Sequence, residues 1–154
     1  MALATTQAVW RSGGGDQTRA AYCGSMLMAA QFYIPAAGTA GNVQVSSADT
    51  STVVLPAGAI VHSVTINNTS SAGAIDLGFT TPSGTTSADG ILNGATATSI
   101  VNIQAGGTGA GTALGTVLSS TELTTITSAN GGSGAGDVGG YITYFIYDLG
   151  QQSA

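Results

Sequence analysis

The chain has 154 residues, two arginines, no lysine and a formal net charge of −5, and only 6% of it is charged, against about a quarter in an ordinary globular domain. That charge balance excludes a nucleic-acid surface, which needs clustered Lys and Arg to displace counterions, and it excludes attraction to an anionic membrane for the same reason. The length fits one domain that buries roughly 70% of its unfolded surface, and no apolar run approaches the ~18 residues of a spanning helix.

Arg11 and Arg19 are the only basic residues, and residues 20–154 carry six acids: Asp49, Asp76, Asp89, Glu122, Asp137 and Asp148. This divides the chain into a short basic segment and a long, nearly uncharged body rich in Gly, Ala, Ser, Thr and Val. We expect a docking arm over 1–30 and a folded body over 31–150. The first residues do not read as a secretory signal, because no basic start precedes an unbroken apolar stretch. Three consecutive glycines, Gly13 to Gly15, resist any regular element. Trp10, Arg11, Asp16 and Arg19 flank them and form the expected partner-binding set, since arginine bonds carboxylates in pairs and tryptophan fills pockets. Residues 20–30 read two ways. Ala and Met there suit a short helix capped by Asp16 or Thr18, yet Tyr22, Met26, Met28 and Phe32 alternate as in a strand.

From residue 31 the pattern is β. Strands are expected over 31–34, stopped by Pro35, and over 52–55, stopped by Pro56. The turn at 56–58 feeds a strand over 59–67, in which Ile60, Val64 and Ile66 share one face and Ser63, Thr65 and Asn67 the other. The stretch 74–80 alternates, with Ile75, Leu77 and Phe79 inward and Asp76 and Gly78 outward. Weaker strands are expected over 99–103 and 113–118, and a Thr-rich one over 122–127. The last, over 141–148, places Ile142, Tyr144 and Ile146 on one face and Tyr141, Thr143, Phe145 and Tyr147 on the other. Both faces are apolar, so both are expected to be covered, the second by the N-terminal arm, by another subunit or, in a central sandwich strand, by long loops; Tyr141, Tyr144, Phe145 and Tyr147 are the expected subunit-interface set. Residues 81–98, 104–112 and 129–140 are expected to be connecting loops. Eight short strands with turns between them predict an all-β fold, a β-sandwich or jelly-roll-like single domain with an extended N-terminal arm.

Chemistry-bearing patterns are sparse. Gly134, Gly136 and Gly139 match the G-x-G-x-x-G spacing of a dinucleotide loop, which requires a strand before it and a helix after it; here a strand follows, so a glycine-rich connection is expected and no cofactor. His62, the only histidine, falls beside Ile60 and Val64 and is expected in the core or an interface. Cys23, the only cysteine, reads as a small buried apolar residue. One Cys and one His supply no zinc site within the chain. The acids are scattered, which suits solvated turns better than a calcium loop or a glycosidase pair. No enzyme is expected.

The runs Leu55-Pro-Ala-Gly-Ala-Ile-Val-His-Ser-Val-Thr-Ile66, Gly73-Ala-Ile-Asp-Leu-Gly-Phe-Thr80, Ala88-Asp-Gly-Ile-Leu92 and Gly139-Gly-Tyr-Ile-Thr-Tyr-Phe-Ile-Tyr147 together resemble small tailed-phage virion proteins, and the segment over 11–19 resembles an N-terminal arm seen in that setting. The resemblance implies a β-sandwich knob on the capsid surface, made in the host cytoplasm. It implies a homo-oligomer, most often a trimer, whose partner is the major capsid protein. The function expected from it is decoration, the cementing of a phage head. The alternatives are another virion component (tail, neck or a receptor-binding fibre head) or a carbohydrate-binding module.

Overall fold

The computed structural model describes residues 27–35, 41–67, 74–96, 100–129 and 137–146. The proposed arm residues Trp10, Arg11, Asp16 and Arg19, together with Cys23 and Tyr147, lie outside them. Among the described residues there is no helix, and nine strands form: β1 (Met28–Ile34), β2 (Gly41–Asn42), β3 (Val54–Leu55), β4 (Ala59–Ile66), β5 (Ala74–Thr80), β6 (Thr86–Thr96), β7 (Val101–Gln104), β8 (Thr124–Ser128) and β9 (Val138–Ile146). They make two antiparallel sheets. The first runs β1-β9-β4-β7, and the second runs β2-β8-β5-β6 with β3 also paired to β8. The all-β expectation holds, with a sandwich-like pair of sheets.

One core lies between the sheets. β1, β4 and β9 contribute Phe32, Ile34, Val61, Val64, Ile66 and Ile142, while β5, β6 and β8 contribute Ile75, Leu77, Ile91, Leu92 and Ile126. Proline and glycine set the strand boundaries as expected. Pro35 follows β1, and Gly58 takes a positive φ of 78° in the turn that launches β4, a conformation glycine adopts without steric cost. In β5, Ile75, Leu77 and Phe79 are buried as read and Asp76 is half-exposed, but Gly78, read as outward, is buried as well.

The structure corrects the phase of β4. Its pairing with β9 runs Ala59↔Ile146, Ile60↔Phe145, Val61↔Tyr144 and then skips to Ser63↔Thr143, so His62 is an extra, bulged residue. A bulge shifts the alternation by one. Ala59 and Val61 face the core before it, and Val64 and Ile66 face the core after it. Ile60 and Val64 therefore lie on opposite faces, and His62 is exposed instead of sitting in the core. Ser63 and Thr65 stay on the face away from the core, as expected.

Four further differences have local causes. The segment 81–98, expected as a loop, is mostly β6. Its Ser/Thr/Gly composition hides a strand made by partners on both sides: β5 pairs it on one, and Asn93 N–H, Gly111 N–H and Ala113 N–H tie it to residues 109–113 on the other. Between Leu77↔Leu92 and Phe79↔Ser87 it passes over Gly78, where a Cβ would collide with the backbone of Ser87 and Ala88. β9 begins at Val138, earlier than expected, because Gly139 and Gly140 are ladder residues; a side chain at Gly140 would strike the Thr65 carbonyl. The segment 113–118 is turns with one bridge, Ile60↔Val117, although Leu114 and Leu118 are buried. Finally, Met28–Ala30 belong to a strand, which decides that part of the ambiguous 20–30 stretch.

Thr124 and Ser128 of β8 point into the core, and their hydroxyls are buried with no hydrogen-bond partner among the described residues. Ser128 lines a cavity of about 190 Å³ with Ile34, Val43 and Gln44, whereas Thr124 is 0% exposed. An unpaired buried hydroxyl costs about 1–3 kcal/mol. Thr124→Val should therefore raise unfolding stability by about 1 kcal/mol in urea melts, and a loss of stability would show that the hydroxyl has a partner.

Candidate interaction face

The first sheet has one face on the core and one turned away from it. β1, β4, β7 and β9 contain no Asp, Glu, Lys or Arg. The described acids all lie elsewhere: Asp76 on β5, Asp89 on β6, Asp49 and Glu122 in connections, and Asp137 just before β9. The strands of the first sheet thus contribute no charge to its outer face, and among the described residues the one carboxylate that reaches it is Asp137, hydrogen-bonded to the Tyr33 phenol on the β1 side.

Strand order builds that face in rows. One row runs Gln31↔Tyr141↔Thr65↔Asn102, and the next runs Ala29↔Thr143↔Ser63↔Gln104. The side chains brace one another. Asn102 Nδ2 donates to Thr65 Oγ1 at 2.7 Å and to Ser63 Oγ at 3.3 Å. Gln104 Nε2 donates to Asn102 Oδ1 at 3.3 Å. Ser63 Oγ and Thr143 Oγ1 lie 2.6 Å apart. This network leaves few free rotamers, so the face is firm before any partner arrives. Beside it, Phe145 and Ile60 turn outward next to the bulge, and with His62, Gln104, Ala105 and Gly115 they line a shallow groove of about 260 Å³.

The expected interface residues divide by alternation. Tyr141 is 42% exposed at the centre of its row. Phe145 is half-buried on the same face. Tyr144 turns the other way and packs against the core. Gln31, Thr65, Asn102, Gln104 and Ile60 belong to the face although the sequence did not single them out as site residues. Uncharged amides and hydroxyls carry no chemical signature, and only strand order aligns them.

A hydrogen bond from the Ser83 hydroxyl at 2.6 Å holds the Glu122 carboxyl below its usual range. The Ser51 hydroxyl and then its N–H do the same for Asp49. A hydrogen bond to Asp137, then burial, raises the Tyr33 phenol. Among the described residues no group of three or more His, Cys, Asp or Glu could hold a metal ion, and no helix is long and apolar enough to cross a membrane. No protein-family model, curated protein or solved structure matches the chain.

Glu122 ties the turn after β5 to the segment before β8. With its folded pKa lowered, its contribution is present above the ordinary carboxylate range and is lost as pH falls through the lowered value. Glu122→Gln should lower the thermal midpoint slightly at neutral pH and make no difference near about pH 2. A difference that grows in acid would contradict the tether.

Proposed function

We propose that this is a structural virion protein that decorates a phage capsid and stabilises it through contacts with the major capsid subunits. The observation that carries the reading is the separation of charge: the acids sit on the second sheet and the connections, while the strands of the first sheet carry none and the rows through Tyr141 and Thr143 are built of amides and hydroxyls. A surface meant for water is normally laced with charge. A protein-covered surface is depleted of charge at its centre and enriched in tyrosine, as at Tyr141. The resemblance of the strand motifs to tailed-phage virion proteins supplies the partner. The segment bearing Trp10, Arg11, Asp16 and Arg19 is the docking arm, its arginines aimed at carboxylates of the shell. Repetition on a lattice multiplies weak individual contacts through effective concentration.

The test is co-sedimentation with shells of the virus's own major capsid protein. Deletion of residues 1–19 should abolish attachment while the body keeps its β circular dichroism. Tyr141→Asp, which puts a charge among those amide and hydroxyl rows, should weaken binding by at least about tenfold, or about 1.4 kcal/mol. Binding unchanged in both variants would refute the reading. A second reading has one observation in its favour: Tyr141 stands between Gln31 and Thr65, an aromatic flanked by polar groups as in sugar-binding surfaces. Retention of the wild type, and not of Tyr141→Asp, on a polysaccharide column would favour it.

A further inference from the structure

The two sheets treat their edges differently. In the second sheet, β6 is covered over 90–93 by main-chain bonds from residues 109–113, and β8 is covered by β2, β3 and the Val43 and Val53 backbone. In the first sheet, residues 115–118 cover the start of β4 through Gly115 N–H to the Val61 carbonyl and Leu118 N–H to the Ala59 carbonyl, both at 2.9–3.0 Å. Among the described residues, cover on the outer strands is confined to their ends: Tyr33 near the end of β1 bonds Gln44, and the Gln104 carbonyl at the end of β7 accepts from Gly107 N–H.

Hydrogen-bond parity shows which groups are left open. Tyr33 N–H and C=O both bond Gln44, at 2.7 and 3.0 Å, so they point away from β9. The β1–β9 register is unbroken, and antiparallel partners alternate. Gln31 and Ala29 therefore also direct their N–H and C=O outward, and among the described residues these groups meet no partner. On the opposite edge, Asn67 N–H bonds the Gly139 carbonyl, which turns Thr65 toward β9 and Val64 and Ile66 toward β7. Ile103 and Val101 then bond β4, and Asn102 directs its N–H and C=O outward, again with no partner among the described residues.

Open edges are normally blunted by lysine, proline or a bulge. Met28–Ile34 and Val101–Gln104 contain no charge and no proline, and neither of their registers breaks. An exposed apolar side chain stands at the head of each strand, Leu27 at 54% and Ile100 at 72%. The directions also match. In the order β1-β9-β4-β7 every neighbour is antiparallel, so β1 and β7 run oppositely. A second copy set beside the first with its outer face on the same side would bring its β1 antiparallel to the first copy's β7.

We propose that copies of this chain join edge to edge, the β7 edge of one pairing with the β1 edge of the next through main-chain hydrogen bonds around Asn102 and Gln31. The inference deepens the homo-oligomer that the resemblance to virion proteins implies, and it rests on the decoration reading for closure into a ring. The contact is heterologous, so a rotation that closes makes a cyclic oligomer. The junction extends the amide and hydroxyl rows of the outer face from one subunit to the next.

Proline at an outward-facing position removes an edge donor and leaves the inner ladder intact. Full-length Gln31→Pro and Asn102→Pro should each sediment as monomers at micromolar concentration, where the wild type sediments as an oligomer. An equal mixture should form dimers, because the first variant keeps a sound β7 edge and the second a sound β1 edge. Ala29→Pro gives a second lesion on β1 should Gln31→Pro lose its β circular dichroism. A monomeric wild type, an Asn102→Pro chain of wild-type size, or a mixture that stays monomeric would overturn the pairing. Shell binding is scored separately. A wild type that oligomerises through these edges and ignores shells refutes decoration alone, and a monomeric wild type that binds shells refutes the edge pairing alone.

Discussion

The pairing of β4 with β9 and its bulge at His62 hold the design together. Side chains alternate strictly along a strand, so a slip of one residue exchanges core for surface. β4 needs Ala59 and Val61 inside at one end and Val64 and Ile66 inside at the other, a spacing that no regular strand provides. The extra residue absorbs the mismatch and moves His62 to the surface. It also leaves Ile60 and Phe145 paired on the outer face, which creates the groove there. The core and the candidate face thus follow from the same irregularity.

Close backbone approach is the second constraint. Gly78 lies under the crossing of β6, and Gly140 lies against β4, each with no room for a Cβ. Glycine weakens a strand by about 0.5–1 kcal/mol relative to alanine, so these positions exchange intrinsic stability for tight stacking of backbone. A chain with 24 glycines and few ions has little else beyond apolar burial and ladder bonds to hold it. That makes the bonds at its open edges valuable to any assembly it enters.

Charge has been sorted in space more than in sequence. Asp76 and Asp89 lie in the stretch of chain between β4 and β7, two neighbours in the first sheet, yet they belong to the other sheet. The result is a molecule whose described acids belong to one sheet and the connections, while the strands of the other sheet carry none. The braced network of Ser63, Thr65, Asn102, Gln104 and Thr143 adds stiffness, which lowers the ordering cost of a contact.

The sequence by itself determined the all-β class, the stops at Pro35 and Pro56, the alternation of β5 and the shortage of charge, because these depend on side-chain type and nearest-neighbour spacing. It could not reveal that 86–96 is a strand, since Ser, Thr and Gly become a ladder only when β5 and residues 109–113 flank them. It could not place the bulge at His62, which exists only against the register of β9, or show Gly139 and Gly140 as ladder residues. The rows of the outer face, and the difference between covered and open edges, were decided by tertiary structure alone. A row across a sheet is made by strands distant in the chain, and no local pattern records which of them will be neighbours.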